Sequence, residues 1–359
     1  MHTYTLPRYL RLEKGSRLTN PTIAYHTFGT RDKPVVWVCH AFSANSDVFD
    51  WWAGLFGPND LFNPNDYFII CANILSSCYG TTGPLSENPD TGQPYYHDFP
   101  EVTVRDIVAA HEALRQHLDI QEIHLLLGGS LGGQQAVEWA IMHPEKIENL
   151  ALIATNARHS AWGIAFNEAQ RMAIEADASW RKRDEKAGDA GMRAARATAL
   201  LSYRNYQTYD QFQTDPEPVL DNYRATTYQQ YQGEKLSRRF NAFSYYRLSQ
   251  AMDSHHIGRG RSSMEDALKE IQANTLVIGI TSDVLFPIQE QQWLAEHIPE
   301  SVFETIPSDY GHDGFLLETE KLGALLKHFL AKQLHVNKER AAQTAKRLPI
   351  NPERLLAAS

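Results

Sequence analysis

Residues 125–139 read LLLGGSLGGQQAVEW. A leucine-rich run enters the segment, glycine pairs at 128–129 and 132–133 bracket Ser130 and Leu131, and a helix-forming stretch follows until Pro144. The pattern G-x-S-x-G between a strand and a helix marks a sharp turn that projects a serine hydroxyl. Its logic is steric, because residues two before and two after the serine must lack side chains if strand and helix are to approach. The hydroxyl then stands at a helix N-terminus, where unpaired N–H groups and the helix dipole favour developing negative charge. Glycines alone would also fit a plain turn, but a strand before and a helix after weigh toward a nucleophile.

Outward from this turn the chain alternates short β-branched runs with helical patterns. PVVWV (34–38), YFIICA (67–72), IHLLL (123–127) and LALIAT (150–155) read as buried strands. Between them, Val104, Ile107, Val108, His111, Leu114 and Leu118 recur at helical spacing. From about Arg158 to Met264 strand-like runs vanish, and helix formers dominate in stretches such as GMRAARATALLSY (191–203). The sheet pattern returns with TLVIGI (275–280), a helix near Ile288–His297, strand VFETI (302–306) and a helix from about Gly314 to Leu334. Strands alternating with helices imply βαβ units and a mostly parallel central sheet. The expected organisation is an α/β core over 1–157 and 265–335, a helical lid inserted at 158–264, and a surface helix and tail over 336–359. The lid reading is preferred to a separate helical domain because sheet elements on both sides are needed to complete one core.

The chain has 359 residues, 43% hydrophobic and 21% charged, enough apolar material for a sizeable core. A formal net charge of −9 argues against non-specific binding to nucleic acid or a membrane surface. No run approaches the ~18 apolar residues that span a bilayer, and the first twenty residues lack the apolar core of a secretory signal. Cys39, Cys71 and Cys78 are odd in number and form no C-x-x-C pair, which fits a reduced, cytoplasmic protein.

A serine hydroxyl is a weak nucleophile until a base takes its proton, and the base needs an acid to fix its tautomer. Asp283 follows strand 275–280 in TSDVLFP, and His312 follows strand 302–306 in PSDYGHDGF. Each candidate therefore sits beyond the carboxyl end of a strand, in the order Ser130, Asp283, His312. Asp309 and Asp313 are rival acids, but they lie too near His312 in sequence to reach its far nitrogen easily. The oxyanion hole is expected to use the N–H of Leu131 and a second N–H from VVWVCHAFSANSD, nominally Phe42, with Ala41 or Ser43 one residue away.

The segments WVCHAFSANSD, CANILSSCYGTTGPLSENPDTGQPY, FPEVTVRDIV, GGSLGGQQAVEWA, IATNARHSAWGIAFNEAQRMAI, RAARATALLSYR, SRRFNAFSYYRLSQAMDSHHIGRGR, ITSDVLFP and YGHDGFL occur in this order. Together, from about Thr22 to Leu330, they resemble the homoserine O-acyltransferases of methionine biosynthesis, within the α/β-hydrolase superfamily. The resemblance implies an α/β-hydrolase fold whose helical lid forms a tunnel to the serine and a homodimer contact. It implies ping-pong transfer in which Ser130 takes an acetyl group from acetyl-CoA and the side-chain hydroxyl of L-homoserine receives it. Acetyl-CoA is then a co-substrate, and no metal or other cofactor is needed. Ser130, Asp283 and His312 inherit the catalytic roles, while Arg196 and Asp313 become the homoserine-binding residues. A zwitterionic amino acid suits a planar cation for its carboxylate and an anion for its ammonium. Without the resemblance, Arg196 reads as a solvated helix face and Asp313 as a loop carboxylate.

Ser76-Ser77-Cys78, Leu131 and Asn156 depart from common family residues and are expected near the acyl or acceptor pocket. They keep a succinyl donor and a serine acceptor open; an esterase using the same triad with water as acceptor, which Arg196 and Asp313 oppose, and a non-catalytic binding module are separate alternatives. GRGR (258–261) could meet coenzyme A phosphates or simply end a lid helix, and DSHH (253–256) lacks a third spaced metal ligand.

Overall fold

The computed structural model describes residues 1–347, with side chains through Gln333; positions 348–359 of the expected tail lie outside the described residues. Eight strands build one sheet: β1 (His2–Thr5), β2 (Thr22–Phe28), β3 (Val35–Cys39), β4 (Phe68–Ala72), β5 (Ile123–Gly129), β6 (Ile147–Ile153), β7 (Asn274–Ile280) and β8 (Val302–Ile306). Their order across the sheet is β1-β2-β4-β3-β5-β6-β7-β8. From β4 to β8 every neighbouring pair is parallel, whereas β1 and β2 add an antiparallel edge. The sequence patterning leaves this edge unread, because HTYT and TIAYHTF mix polar and apolar residues without a continuous buried run.

Side chains of the central strands alternate between two cores, as the period of two requires. Val36, Val38, Leu125 and Leu127 face one layer with Trp52, Phe315 and Leu326, while Trp37, Cys39 and Leu126 face the other with Ile107, Val137 and Trp139. Helix α1 (Val104–His117) starts at a capping box in which Thr103 accepts from the Asp106 N–H and Asp106 accepts from the Thr103 N–H. Helix α2 (Leu131–Met142) follows β5 directly and is buried along almost its whole length.

Between β6 and β7 the chain is helical: α3 (Ala161–Glu175), α4 (Asp189–Tyr203), α5 (Tyr206–Gln213), α6 (Arg224–Ser237), α7 (Ala242–Asp253) and a short helix at Met264–Lys269. Ser160, Asn205 and Asn241 cap α3, α5 and α7 with their side chains. The chain enters and leaves this block at one neck, where Arg158 bridges His256 and Ile257 N–H donates to Ala157 O at 3.0 Å. Helix α4 packs on the turn that carries His312, so the insertion covers the carboxyl ends of the strands.

Helix α8 (Ile288–His297) matches its expected span. The helix expected from Gly314 is divided: a turn at Gly314–Leu317 ends at Glu318, and α9 (Thr319–Arg347) continues through residue 336, where a separate surface helix had been expected to begin.

Candidate active site

Strand β5 turns into α2 at Ser130, whose φ of 59° and ψ of −126° lie in a region that L-residues rarely adopt. The strained turn is pinned on both sides. Ser130 N–H donates to Ile153 O at 3.0 Å, and its carbonyl accepts from Thr155 Oγ1 at 2.9 Å. The flanking glycines are sterically required: a Cβ on Gly132 would lie 2.0 Å from Cys39 O, and one on Gly128 would lie 2.3 Å from the Gly132 carbonyl. These close approaches bring β3, β5 and α2 together at the point where strand order reverses on either side of β3, the usual place for a crevice in a parallel sheet.

His312 arrives from the loop after β8 and Asp283 from the loop after β7. His312 Nδ1 lies 2.6 Å from Asp283 Oδ2. The other carboxylate oxygen accepts N–H bonds from Leu285 and Phe286 at 2.8 and 2.9 Å, so the carboxylate cannot rotate freely. Both side chains are almost wholly buried, and the imidazole stacks on Phe286 with centroids 5.0 Å apart. Asp283, rather than Asp309 or Asp313, is the acid that meets this nitrogen.

Ser130 and His312 open into a cavity of about 180 Å³. Phe42, Ala41 and Ser43 line it from the loop after β3, Arg196 and Tyr203 of α4 close it from the lid side, and Asp313 lines it from the turn after β8, beside His312. Leu131 opens α2, so its N–H belongs to the first-turn donors that have no partner within the helix. The Phe42 loop is held by His40. Ile74 N–H donates to His40 Nε2 at 3.2 Å, which leaves the ring proton on Nδ1, and Nδ1 donates to Ala41 O at 2.8 Å. Burial pushes this imidazole down to about 4, keeping it neutral and the tautomer fixed.

Three neighbours escaped sequence reasoning. Tyr203 lies under the Arg196 guanidinium, 5.3 Å from ring centroid to carbon, and burial raises its phenol so that it stays a donor. Arg204 places Nε 3.2 Å from Asp313 Oδ2. Arg239 reaches from the loop after α6, donates to Ser43 O at 2.6 Å and also contacts the Tyr79 hydroxyl. Arg196 and Tyr203 share one helix face at a spacing of seven, a signal that sequence could have offered. Arg239 gave none, because its partners are remote in the chain.

Several expected neighbours lie elsewhere. Ser76, Ser77, Cys78, Asn156 and the Leu131 side chain do not line this cavity. Cys78 approaches it only through Sγ donating to Arg239 O at 3.5 Å. The GRGR arginines are already engaged: Arg259 pairs with Glu13 at 2.8 Å and Arg261 with Glu138 at 2.5 Å. They fasten the neck of the lid to the N-terminal segment and to α2. In DSHH, Asp253 pairs with Arg171 at 2.6 Å and His255 Nε2 bonds to Asn156 O at 3.0 Å. No metal-binding cluster occurs among the described residues.

Asn156 instead donates to Glu290 Oε2 at 2.9 Å and accepts from Gln134 of α2 at 2.9 Å. Burial, aided by the Asp283 charge and opposed by the Asn156 hydrogen bond, pushes the Glu290 carboxyl up to about 7. Its folded value lies above the ~4.3 of an unfolded glutamate, so ionisation disfavours the fold as pH rises from about 4.5 through 7. Glu290→Gln should therefore stabilise the protein by about 2 kcal/mol at pH 8, allowing for solvent screening at this partly exposed site. The gain should shrink toward zero near pH 4.5, as checked by thermal unfolding of both proteins across that range.

The α/β-hydrolase fold family matches residues 34–319. A homoserine O-acetyltransferase of Cyclobacterium marinum is 46% identical over 323 residues, covering 89% of this chain and 92% of the relative. The chain belongs to the homoserine O-acetyltransferase family. The crystal structure of homoserine O-acetyltransferase from Bacillus anthracis superposes with a TM-score of 0.85 at 25% identity, covering 92% of this chain and 96% of that one. A variant of esterase E22 superposes with a TM-score of 0.84 at 23% identity, covering 92% and 98%, a likeness of fold alone.

Proposed function

We propose that this protein transfers an acetyl group from acetyl-CoA to the side-chain hydroxyl of L-homoserine through an acyl-Ser130 intermediate. His312 takes the Ser130 proton as Oγ attacks the thioester carbonyl. Collapse breaks the carbon–sulfur bond, and the CoA thiol leaves with that proton. Homoserine's hydroxyl then gives its proton to His312 and attacks the acyl carbonyl, and Ser130 leaves with the proton returned to Oγ. The Leu131 and Phe42 N–H groups stabilise the negative oxygen formed in both halves. No step needs a metal or redox cofactor.

One observation carries the acceptor assignment: Arg196 and Asp313 line the same cavity as Ser130 and His312. Opposite charges on two sides of a nucleophile suit a zwitterion and serve no purpose for water. The curated relatives are homoserine O-acetyltransferases, which supports acetyl as the group carried. The test is a matrix of acetyl-CoA and succinyl-CoA against homoserine, serine and buffer, followed by CoA release. Release with acetyl-CoA and homoserine should exceed the buffer rate by about 10³-fold or more. Equal rates with homoserine and with water would replace the transferase by an esterase.

The protein works in the cytoplasm as a biosynthetic enzyme. The three cysteines are free thiols, as a reducing compartment would keep them. A homodimer is supported by apolar side chains exposed on the lid, among them Trp162, Met172, Leu201, Tyr206 and Phe212. Light scattering should give twice the chain mass of 40.7 kDa; the monomer mass at micromolar concentration would refute it.

A further inference from the structure

Helix α7 has two working faces. Tyr245 packs edge-on against Phe42 of the oxyanion loop, with ring centroids 4.9 Å apart. Phe243, Tyr246 and Arg247, on the opposite side, line a second cavity of about 260 Å³ beneath the loop that carries Trp180. This space is smaller than the ~300 Å³ at which sites for drug-sized ligands begin, so it suits a metabolite of amino-acid size.

Its walls are aromatic and its rim is charged. Trp180 meets Phe243 at 4.9 Å and Tyr246 at 5.3 Å between centroids, and His97 closes the box against Trp180 at 4.6 Å. Burial lowers the His97 pKa, so its ring is neutral at physiological pH. The rim carries two carboxylates, Glu101 and Glu175, and two guanidiniums, Arg181 and Arg247. Glu175 accepts from the Tyr246 hydroxyl at 2.6 Å, leaving its second oxygen for a ligand. Arg247 is anchored to His97 O at 2.6 Å and stands 3.8 Å from Glu101. Arg181 is exposed and has no ion-pair or hydrogen-bond partner among the described residues. Tyr96, on the adjoining wall, holds a left-handed φ of 51°, a conformation that surrounding contacts must enforce.

We propose that this cavity is a second ligand site, taking a free amino acid with an apolar side chain. The rim leaves Arg181 and Glu175 for a ligand, because Arg247 stands 3.8 Å from Glu101 and Glu101 also pairs with Lys14. It offers a carboxylate the guanidinium of Arg181 and an ammonium the free oxygen of Glu175, while Trp180, Phe243 and Tyr246 receive the side chain. Helix α7 forms a wall of this site and, through Tyr245, also packs on Phe42.

The site is separable from the catalytic one. Calorimetric titration of the full-length Arg196→Met variant, which lacks the catalytic clamp, with leucine, methionine and phenylalanine should show binding tighter than about 1 mM for at least one of them. The matching amine and carboxylic acid, each lacking one charge, should bind at least about tenfold more weakly. Adding Arg181→Glu, at an exposed position, or Glu175→Gln, which keeps the Tyr246 hydrogen bond, should each weaken binding about tenfold or more. No binding by any of the three up to about 10 mM overturns the proposal, as does binding that both rim substitutions leave unchanged. Neither result bears on acetyl transfer at Ser130, which the CoA-release matrix decides separately.

Discussion

Asp283→Asn should lower turnover about 10⁴-fold while leaving the fold intact, the size of effect seen when a triad acid is made neutral. The reason lies in how the carboxylate is held. One oxygen accepts the N–H groups of Leu285 and Phe286, and the other meets His312 Nδ1 at 2.6 Å. An asparagine must keep its carbonyl toward the two backbone donors, so its NH₂ turns to His312. Nδ1 then has to accept, the ring proton moves to Nε2, and the lone pair that should take the Ser130 proton is lost. CoA release under saturating substrates measures the effect, and a thermal melt within a few degrees of the parent verifies folding. Ser130→Ala, read by mass spectrometry after exposure to acetyl-CoA, should carry no acetyl group where the parent does. Retention of a tenth of the activity by Asp283→Asn would remove Asp283 from the proposed mechanism.

Arg196→Met should reduce kcat/KM for homoserine by roughly 10²–10³-fold, the consequence of leaving a carboxylate without its charged partner in a partly closed site. The first half-reaction should change little, because the thioester carbonyl is handled by Ser130, His312 and the loop at Phe42. A rapid burst of CoA release equal to the enzyme concentration, followed by slow steady-state turnover, is the expected signature. Asp313→Asn should show the same split. Since Arg204 stands 3.2 Å from Asp313, Arg204→Gln serves as its control: the loss should be smaller, with the Asp313 side chain kept. If Arg196→Met abolishes the burst together with the steady state, Arg196 acts on acylation and the acceptor assignment fails.

The polar layer behind the nucleophile connects these predictions to stability. Gln134 of α2, Asn156 after β6 and Glu290 of α8 form one hydrogen-bonded chain. Glu290 also feels the charge of Asp283. Its carboxyl therefore disfavours the fold at alkaline pH and sits beside the acid that fixes the His312 tautomer.

Much of this protein was legible without coordinates because its information is local. The G-x-S-x-G turn, the leucine run before it and the helix after it are contiguous, and strand and helix periods differ enough to be read from hydrophobicity alone. The residues at 104, 107, 108, 114 and 118 assigned to a helix's core face are all buried. Asp283 and His312 stood out because each follows a strand directly, so their place in chain order fixed their place in space. The weaker readings failed for the complementary reason. HTYT and TIAYHTF carry no continuous apolar signal, since an antiparallel edge can remain half exposed. GRGR looked free because sequence does not show that Glu13 and Glu138 wait for Arg259 and Arg261 across the fold.

The sequence by itself determined the α/β alternation, the turn that presents Ser130, the chain order of Asp283 and His312 and, through resemblance, the family. Only the tertiary structure decided that Arg196 and Asp313 open onto the space in front of Ser130, that Tyr203 and Arg239 join them, and that Arg204 pairs with Asp313. It also set the neutral tautomer of His40 and the raised pKa of Glu290. Backbone periodicity is written over a few neighbouring residues, so one dimension suffices to read it. Charge pairing, tautomer and desolvation depend on atoms brought together from distant parts of the chain, and they have no value until the fold has closed.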